Sequence, residues 1–281
     1  MGSDNKLSLA DNSISRPENS DEQEALDQIR SLIKKLDGLE CPTEDVYLLR
    51  FLRYRKNDIA RTVESIASWW KNRHRFDFMH TDMHPSHYVQ TYGFNFATVL
   101  AHRDALGRQV VLVKLENWDP AKMSLLEASK ADFCSMDTVT SRQLTQLHGV
   151  VFVLDLAGLA LSHVQSCTPF NLKTVINLSD GYPMKIKGIH FVNHPYIFNT
   201  VHSVAKMFMK KKMKKRIQLH GYDYTSLHKF VDPAILPKTY GGLLDDVDAE
   251  EKDFKGTLLD KDQYYRDLFD VKKYGYQTKK N

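Results

Sequence analysis

One stretch constrains the fold more than any other: Val150-Val151-Phe152-Val153-Leu154, five apolar residues without interruption between Gly149 and Asp155. It is strand length, rich in β-branched side chains, and bracketed by a turn-former and a carboxylate, so it reads as a β-strand. A strand with one wet face alternates apolar and polar side chains; one that is apolar throughout is covered on both faces. That arrangement belongs to parallel sheets layered between helices. The neighbouring segments agree. Further strands are expected at 95–102, 109–115, 188–193 and 216–220, alternating with helical patterns at 124–145, 169–180 and 196–213, and Asp104 to Gly107 forms a hairpin turn. The expected fold class is α/β with a mostly parallel sheet.

The region ahead of this pattern is different. Leu26, Ile29, Leu32, Ile33 and Leu36 recur at spacings of three and four, and Gly38 closes the run. Thr43-Glu44-Asp45 opens a second helix leading into Leu48-Leu49-Arg50-Phe51-Leu52-Arg53-Tyr54-Arg55, and Asn57-Asp58 opens a third carrying Ile59, Val63, Ile66, Trp69 and Trp70. Residues 21–80 therefore read as a small helical domain and residues 88–248 as the α/β domain. Residues 1–20, polar and without periodicity, read as a disordered tail. Residues 249–281 form a C-terminal extension with one amphipathic segment (Leu258, Leu259, Tyr264, Tyr265, Leu268, Phe269) and a basic, frayed end.

No apolar run approaches the roughly 18–20 residues needed to cross a bilayer, and the first residues show neither a signal-peptide nor a myristoylation pattern. Any membrane contact is expected to be peripheral. Three cysteines, none in a CxxC pair, give no disulfide framework or zinc site and fit a cytoplasmic protein.

Enzyme signatures are sparse. The sequence has no GxxxxGK[ST], GxGxxG, GxSxG or HExxH motif. His80, His84 and His87 lie in a His/Met/Pro-rich connector where a three-histidine metal site is conceivable, but no carboxylate or cysteine cluster flanks them. Asp155 with Ser162-His163 matches no nucleophile elbow in order or spacing; these residues are expected to organise the turn after the strand. Neither an enzymatic activity nor a cofactor is expected.

The net charge of +4 conceals a concentration of positive charge: Lys210, Lys211, Lys212, Lys214, Lys215 and Arg216 contribute six charges within seven residues. Without them the chain is mildly acidic. They follow an amphipathic stripe of Ile197, Val201, Val204, Phe208, Met213 and Ile217. Some positive charge suits a helix C-terminus, but this crowding exceeds that need and points to an external anion. No aromatics are interleaved as in RNA-binding sheets, so no nucleic acid is expected; acidic lipid fits better, at about 1 kcal/mol per basic residue.

Several of these stretches resemble the CRAL-TRIO (Sec14-like) lipid-binding family, in particular its tocopherol-transfer and retinaldehyde-binding branch. The resemblance runs over residues 22–245 and rests on residues 48–55 (LLRFLRYR), 153–158 (VLDLAG) with Ser162-His163, 183–193 (PMKIKGIHFVN), 216–221 (RIQLHG) and 235–242 (ILPKTYGG), in family order. It implies an apolar pocket floored by the sheet and closed by a movable helix. Its walls would be Phe152, Leu154, Ile189 and Phe191 from strands, Leu178 and Tyr182 from the preceding helix, and Val201, Val204 and Phe208 from the gate. It also implies a phosphoinositide-headgroup site at Arg55, Lys185, Lys187, Lys212 and Arg216; Lys187 stands where the branch has Arg, keeping charge but losing the bidentate fork. Ala157 replaces a family Glu and Leu159 an aromatic, so the carried molecule, tocopherol-, retinoid- or carotenoid-like, is left open. The implied function is that of a monomeric cytoplasmic carrier, transiently at membranes, which exchanges one small hydrophobic ligand there. A phosphatidylinositol-transfer role, an adaptor and a lipid-acting enzyme are the alternatives.

Overall fold

The computed structural model describes residues 12–277. Its strands are β1 (Leu39–Glu40), β2 (Ala97–Val99), β3 (Gln109–Lys114), β4 (Val150–Asp155), β5 (Ile186–Val192), β6 (Ile217–Gly221) and β7 (Gly275–Tyr276). β2 to β6 form one sheet in sequence order; β2 pairs antiparallel with β3, and the other pairs are parallel. Parallel neighbours require crossovers, and helices supply them. The β3–β4 crossover contains Leu125–Thr140 and Gln143–His148, the β4–β5 crossover Pro169–Gly181, and the β5–β6 crossover Phe198–Phe208. The α/β class expected from the apolar strand is the fold observed.

The stretch expected as one helix over 124–145 breaks after Thr140, because Arg142 takes an extended backbone. Its guanidinium donates to both Glu251 oxygens (2.8 and 2.7 Å), and Ile14 forms a β-bridge with it.

Three N-terminal helices, Ser20–Ile33, Asp45–Tyr54 and Ile59–Arg75, bury Leu26, Ile29, Leu48, Leu49, Phe51, Leu52, Ile66, Trp69 and Trp70 together. Asn19 and Asp58 cap two of them by accepting from Glu22 N and Arg61 N. This unit is not closed by residues 21–80 alone. Tyr265 and Leu268, on the C-terminal helix Asp262–Phe269, complete its core. Arg73 donates to the Leu268 carbonyl at 2.7 Å, and β7 pairs antiparallel with β1. The amphipathic segment of the extension is thus the missing wall of the helical unit. Residues 278–281, part of the expected frayed end, lie outside the described residues.

The tail reading also needs correction. Residues 1–11 lie outside the described residues, but from Ser13 the chain is held to the body by hydrogen bonds, with Ser15 buried. Ser15 N donates to Ser141 O (2.9 Å), Ser15 Oγ donates to Gln146 (2.7 Å), and the buried Arg53 donates to Ser15 Oγ (2.7 Å) and Arg16 O (2.9 Å). Polar anchors hold this strap, so apolar periodicity carries no trace of it.

Candidate functional site

The two faces of the sheet are closed to different degrees. On one, Val110 and Leu112 of β3, Val151 and Val153 of β4 and Val192 of β5 are buried with Leu227, Val231, Leu236 and Tyr240. On the other, strand register aligns Val111, Phe152, Ile189 and Ile217 in one row and Val113, Leu154, Phe191 and Leu219 in the next. Phe191 is buried there, yet Phe152, Leu154 and Ile189 remain only half-buried although they belong to interior strands β4 and β5.

The Phe198–Phe208 helix covers this second face through Phe198 and Val201, which cluster with Leu154, Ile189 and Phe191. Val201, Val204 and Phe208 are themselves half-buried. Pro169–Gly181 packs against that helix, with Thr174 buried and Leu178, one turn later, half-buried. Eight of the nine side chains expected as pocket walls therefore stand on the open sheet face or on the two helices beside it.

Tyr182 does not join them. It was grouped with Leu178 on the preceding helix, but the helix ends at Gly181 and Tyr182 takes an extended backbone (ψ 134°). Its ring packs on Trp69 and Phe133 (centroids 5.6 and 5.0 Å), and its hydroxyl donates to Asp137 at 2.7 Å. The same carboxylate pairs with the buried Arg50 guanidinium, so Tyr182 belongs to the seam with the helical unit.

The stretch expected as one helix over 196–213 is also interrupted. Met209 and Lys210 are extended (ψ 139° and 152°), and the chain restarts as the one-turn helix Lys211–Lys214. Crowded like charges oppose a continuous last turn. The lysine run therefore sits beyond a bend in the backbone.

The five expected headgroup residues nevertheless converge. Burial, and after it Arg216, Lys56, Lys187 and Arg55, hold the Lys212 ammonium below its ordinary range. Burial pushes Lys185 down to about 8, with Lys187, Arg53 and Lys56 adding to the effect and Glu22 opposing it. Lys56 is the member that sequence reasoning missed. It follows the Asp45–Tyr54 helix with a left-handed backbone (φ 59°), and Asn57 does the same (φ 62°). Such paired left-handed turns cannot be read from a helical pattern. Among the described residues, none of Arg55, Lys56, Lys187, Lys212 and Arg216 forms an ion pair. Beside them lies a cleft of about 410 Å³ lined by Arg55, Arg75 and Lys210 together with Tyr54, Ser65, Asn72 and Asn177. Like charges so gathered favour an anion.

The residues weighed for catalysis are otherwise engaged. His163 Nδ1 accepts from Ala160 N (2.9 Å) and Nε2 donates to Trp118 O (2.8 Å), leaving neither nitrogen for Ser162. Asp155 accepts from Ala157 N, Asn193 Nδ2 and Tyr240 Oη (2.9, 2.8 and 2.9 Å). In the histidine connector, His80 is buried against Trp69 and Phe269, whereas His84 contacts Asp262 and Ser86. No group of three His, Cys, Asp or Glu side chains suited to a metal ion occurs among the described residues.

The family model for the CRAL/TRIO domain matches residues 94–242, more than half of the chain. The chain belongs to the CRAL-TRIO family. Its CRAL-TRIO relatives include human Alpha-tocopherol transfer protein-like, 34% identical over 223 residues, which cover 79% of this chain and 65% of that protein. The mouse protein of that name is 33% identical, covering 80% and 69%. Human Clavesin-2 is 30% identical over 244 residues, covering 84% and 73%. The chain thus spans 65% of the length of the first human relative. Among solved structures, Sfh5 shares the fold at a TM-score of 0.57 and 16% identity, covering 90% of this chain and 100% of that one.

Proposed function

We propose that this CRAL-TRIO protein is a carrier: it holds one apolar molecule between the open sheet face and the Phe198–Phe208 helix, and exchanges it at membranes bearing acidic phosphoinositide headgroups. The observation that carries this reading is the half-buried state of Phe152, Leu154 and Ile189 in interior strands of the sheet. Apolar area left accessible forfeits about 25 cal/mol per Å², so such a face is complementary to an apolar body rather than to water.

Arg55, Lys185, Lys187, Lys212 and Arg216, with Lys56, form the membrane-facing patch in this account. The extended Met209-Lys210 link joins patch to gate: headgroups hold the basic side, the Phe198–Phe208 helix swings, and the molecule partitions into the bilayer. The cargo leaves chemically unchanged, and the protein works in the cytoplasm as a monomer that meets membranes transiently. Tocopherol-, retinoid- or carotenoid-sized cargo suits the set of side chains, and the relatives named as Alpha-tocopherol transfer protein-like favour this class over a phospholipid.

Organic extraction of the purified full chain followed by mass spectrometry tests the reading. One apolar molecule per chain is the expected result. Protein that remains empty after incubation with a cell lipid extract contradicts it.

A further inference from the structure

The helix that covers the open face carries a buried ring nitrogen that has no hydrogen-bond partner among the described residues. Phe198, His202 and Ala205 are the buried residues of Phe198–Phe208, and His202 is 6% exposed. Its ring stacks on Phe198 (centroids 5.3 Å, planes 11° apart) and lies 6.1 Å from Phe191 of β5. Those two phenylalanines share a cluster with Leu154, Ile189 and Val201. His202 Nε2 is buried and has no hydrogen-bond partner among the described residues. Burial, with smaller effects from Lys206 and His194, holds the ring below its ordinary pKa and so favours the uncharged imidazole.

A buried ring nitrogen without a partner gives up a hydrogen bond that water would supply, which folded proteins rarely accept. For packing alone an apolar side chain would serve this stripe better. We infer that His202 is the head-recognition residue of the pocket: its Nε2 pairs with the one neutral hydrogen-bonding group of an otherwise apolar ligand, a hydroxyl or a carbonyl. The inference rests on the carrier reading above and narrows its ligand class. A neutral imidazole serves either group, accepting from a hydroxyl in one tautomer and donating to a carbonyl in the other. A pure hydrocarbon leaves Nε2 unpaired and is discriminated against for that reason.

The test uses the full chain and two fluorescent probes that differ by one terminal hydroxyl, 1-pyrenebutanol and 1-butylpyrene. Each is titrated into the parent protein, His202→Phe and His202→Leu, and the ratio of the two dissociation constants is compared. The alcohol's advantage should shrink by about tenfold in both variants while butylpyrene binding is kept or strengthened. Retained butylpyrene binding also shows that the variant is folded, and two apolar replacements guard against one that is not. Equal ratios in parent and variants overturn the role of His202 but leave the carrier reading standing. Failure of the parent to bind either probe overturns both.

Discussion

His190 of β5 and His220 of β6 face each other across the sheet, with Nδ1 of the first 2.9 Å from Nε2 of the second. Their rings stack at 5.2 Å against Phe230, and His220 Nδ1 meets Ser226 Oγ at 2.8 Å. Burial, then His220 and Arg108, push His190 down to about 4. Burial also lowers His220, with Asp223 opposing and His194 assisting.

A folded-state pKa below the unfolded value of about 6.5 means that the native protein binds fewer protons, so stability is intact above that pH and is lost as pH falls toward 4. Urea unfolding should show a loss on the order of 2 kcal/mol from this pair between pH 7 and pH 4.5. His190→Gln, which keeps a hydrogen-bonding amide but does not titrate, should flatten that slope. Parallel pH profiles for the parent and this variant contradict the account.

Tyr182 supplies a second expectation. Its hydroxyl donates to Asp137, which also accepts from Tyr265 and pairs with buried Arg50. Tyr182→Phe should lower unfolding free energy by about 1–2 kcal/mol and leave cargo capture unchanged. Asp137→Ala, which strands a buried guanidinium, should cost about 3–5 kcal/mol. Weakened capture by Tyr182→Phe at unchanged stability would return this residue to the pocket wall.

The N-terminal strap provides a third. Deleting residues 12–18 removes the Ser15 and Arg16 acceptors of Arg53, which is 3% exposed. Thermal unfolding should move down by several degrees, consistent with about 1–3 kcal/mol for unsatisfied buried donors. An unchanged midpoint would mean that Glu22, which also accepts from Arg53, suffices alone.

How much of this was legible in the sequence follows from what sets each feature. The unbroken apolar run at Val150 to Leu154 dictated the two-sided sheet, and strand alternation placed Phe152 and Leu154 on one face and Val151 and Val153 on the other. The family resemblance picked out five basic residues that lie near one another in the fold, and charge clustering flagged two of them, Lys212 and Arg216. The misreadings have specific causes. Tyr182 was placed with the helix before β5, but it lies past the end of that helix, and Lys56 depends on a left-handed backbone that no pattern announces. The polar strap at Ser15 and the return of Tyr265 and Leu268 to the N-terminal core are long-range contacts, invisible to periodicity. His202 sits at an apolar-stripe position but is polar itself. A rule that collects apolar residues passes over it, although a histidine in that stripe was the available signal.

Transfer to vesicles tests the central claim, that an apolar pocket and a basic patch act together, most directly. The full chain is loaded with a fluorescent apolar cargo and mixed with acceptor vesicles with or without phosphoinositides. The parent is compared with a variant in which Lys185, Lys187, Lys212 and Arg216 are replaced by Gln. Cargo affinity in solution should stay within about twofold, because the patch lies outside the pocket. Transfer to the acidic vesicles should fall by more than about tenfold, and added salt should impose the same loss on the parent. Transfer by the four-charge variant at the parent rate, with cargo still bound, contradicts the account.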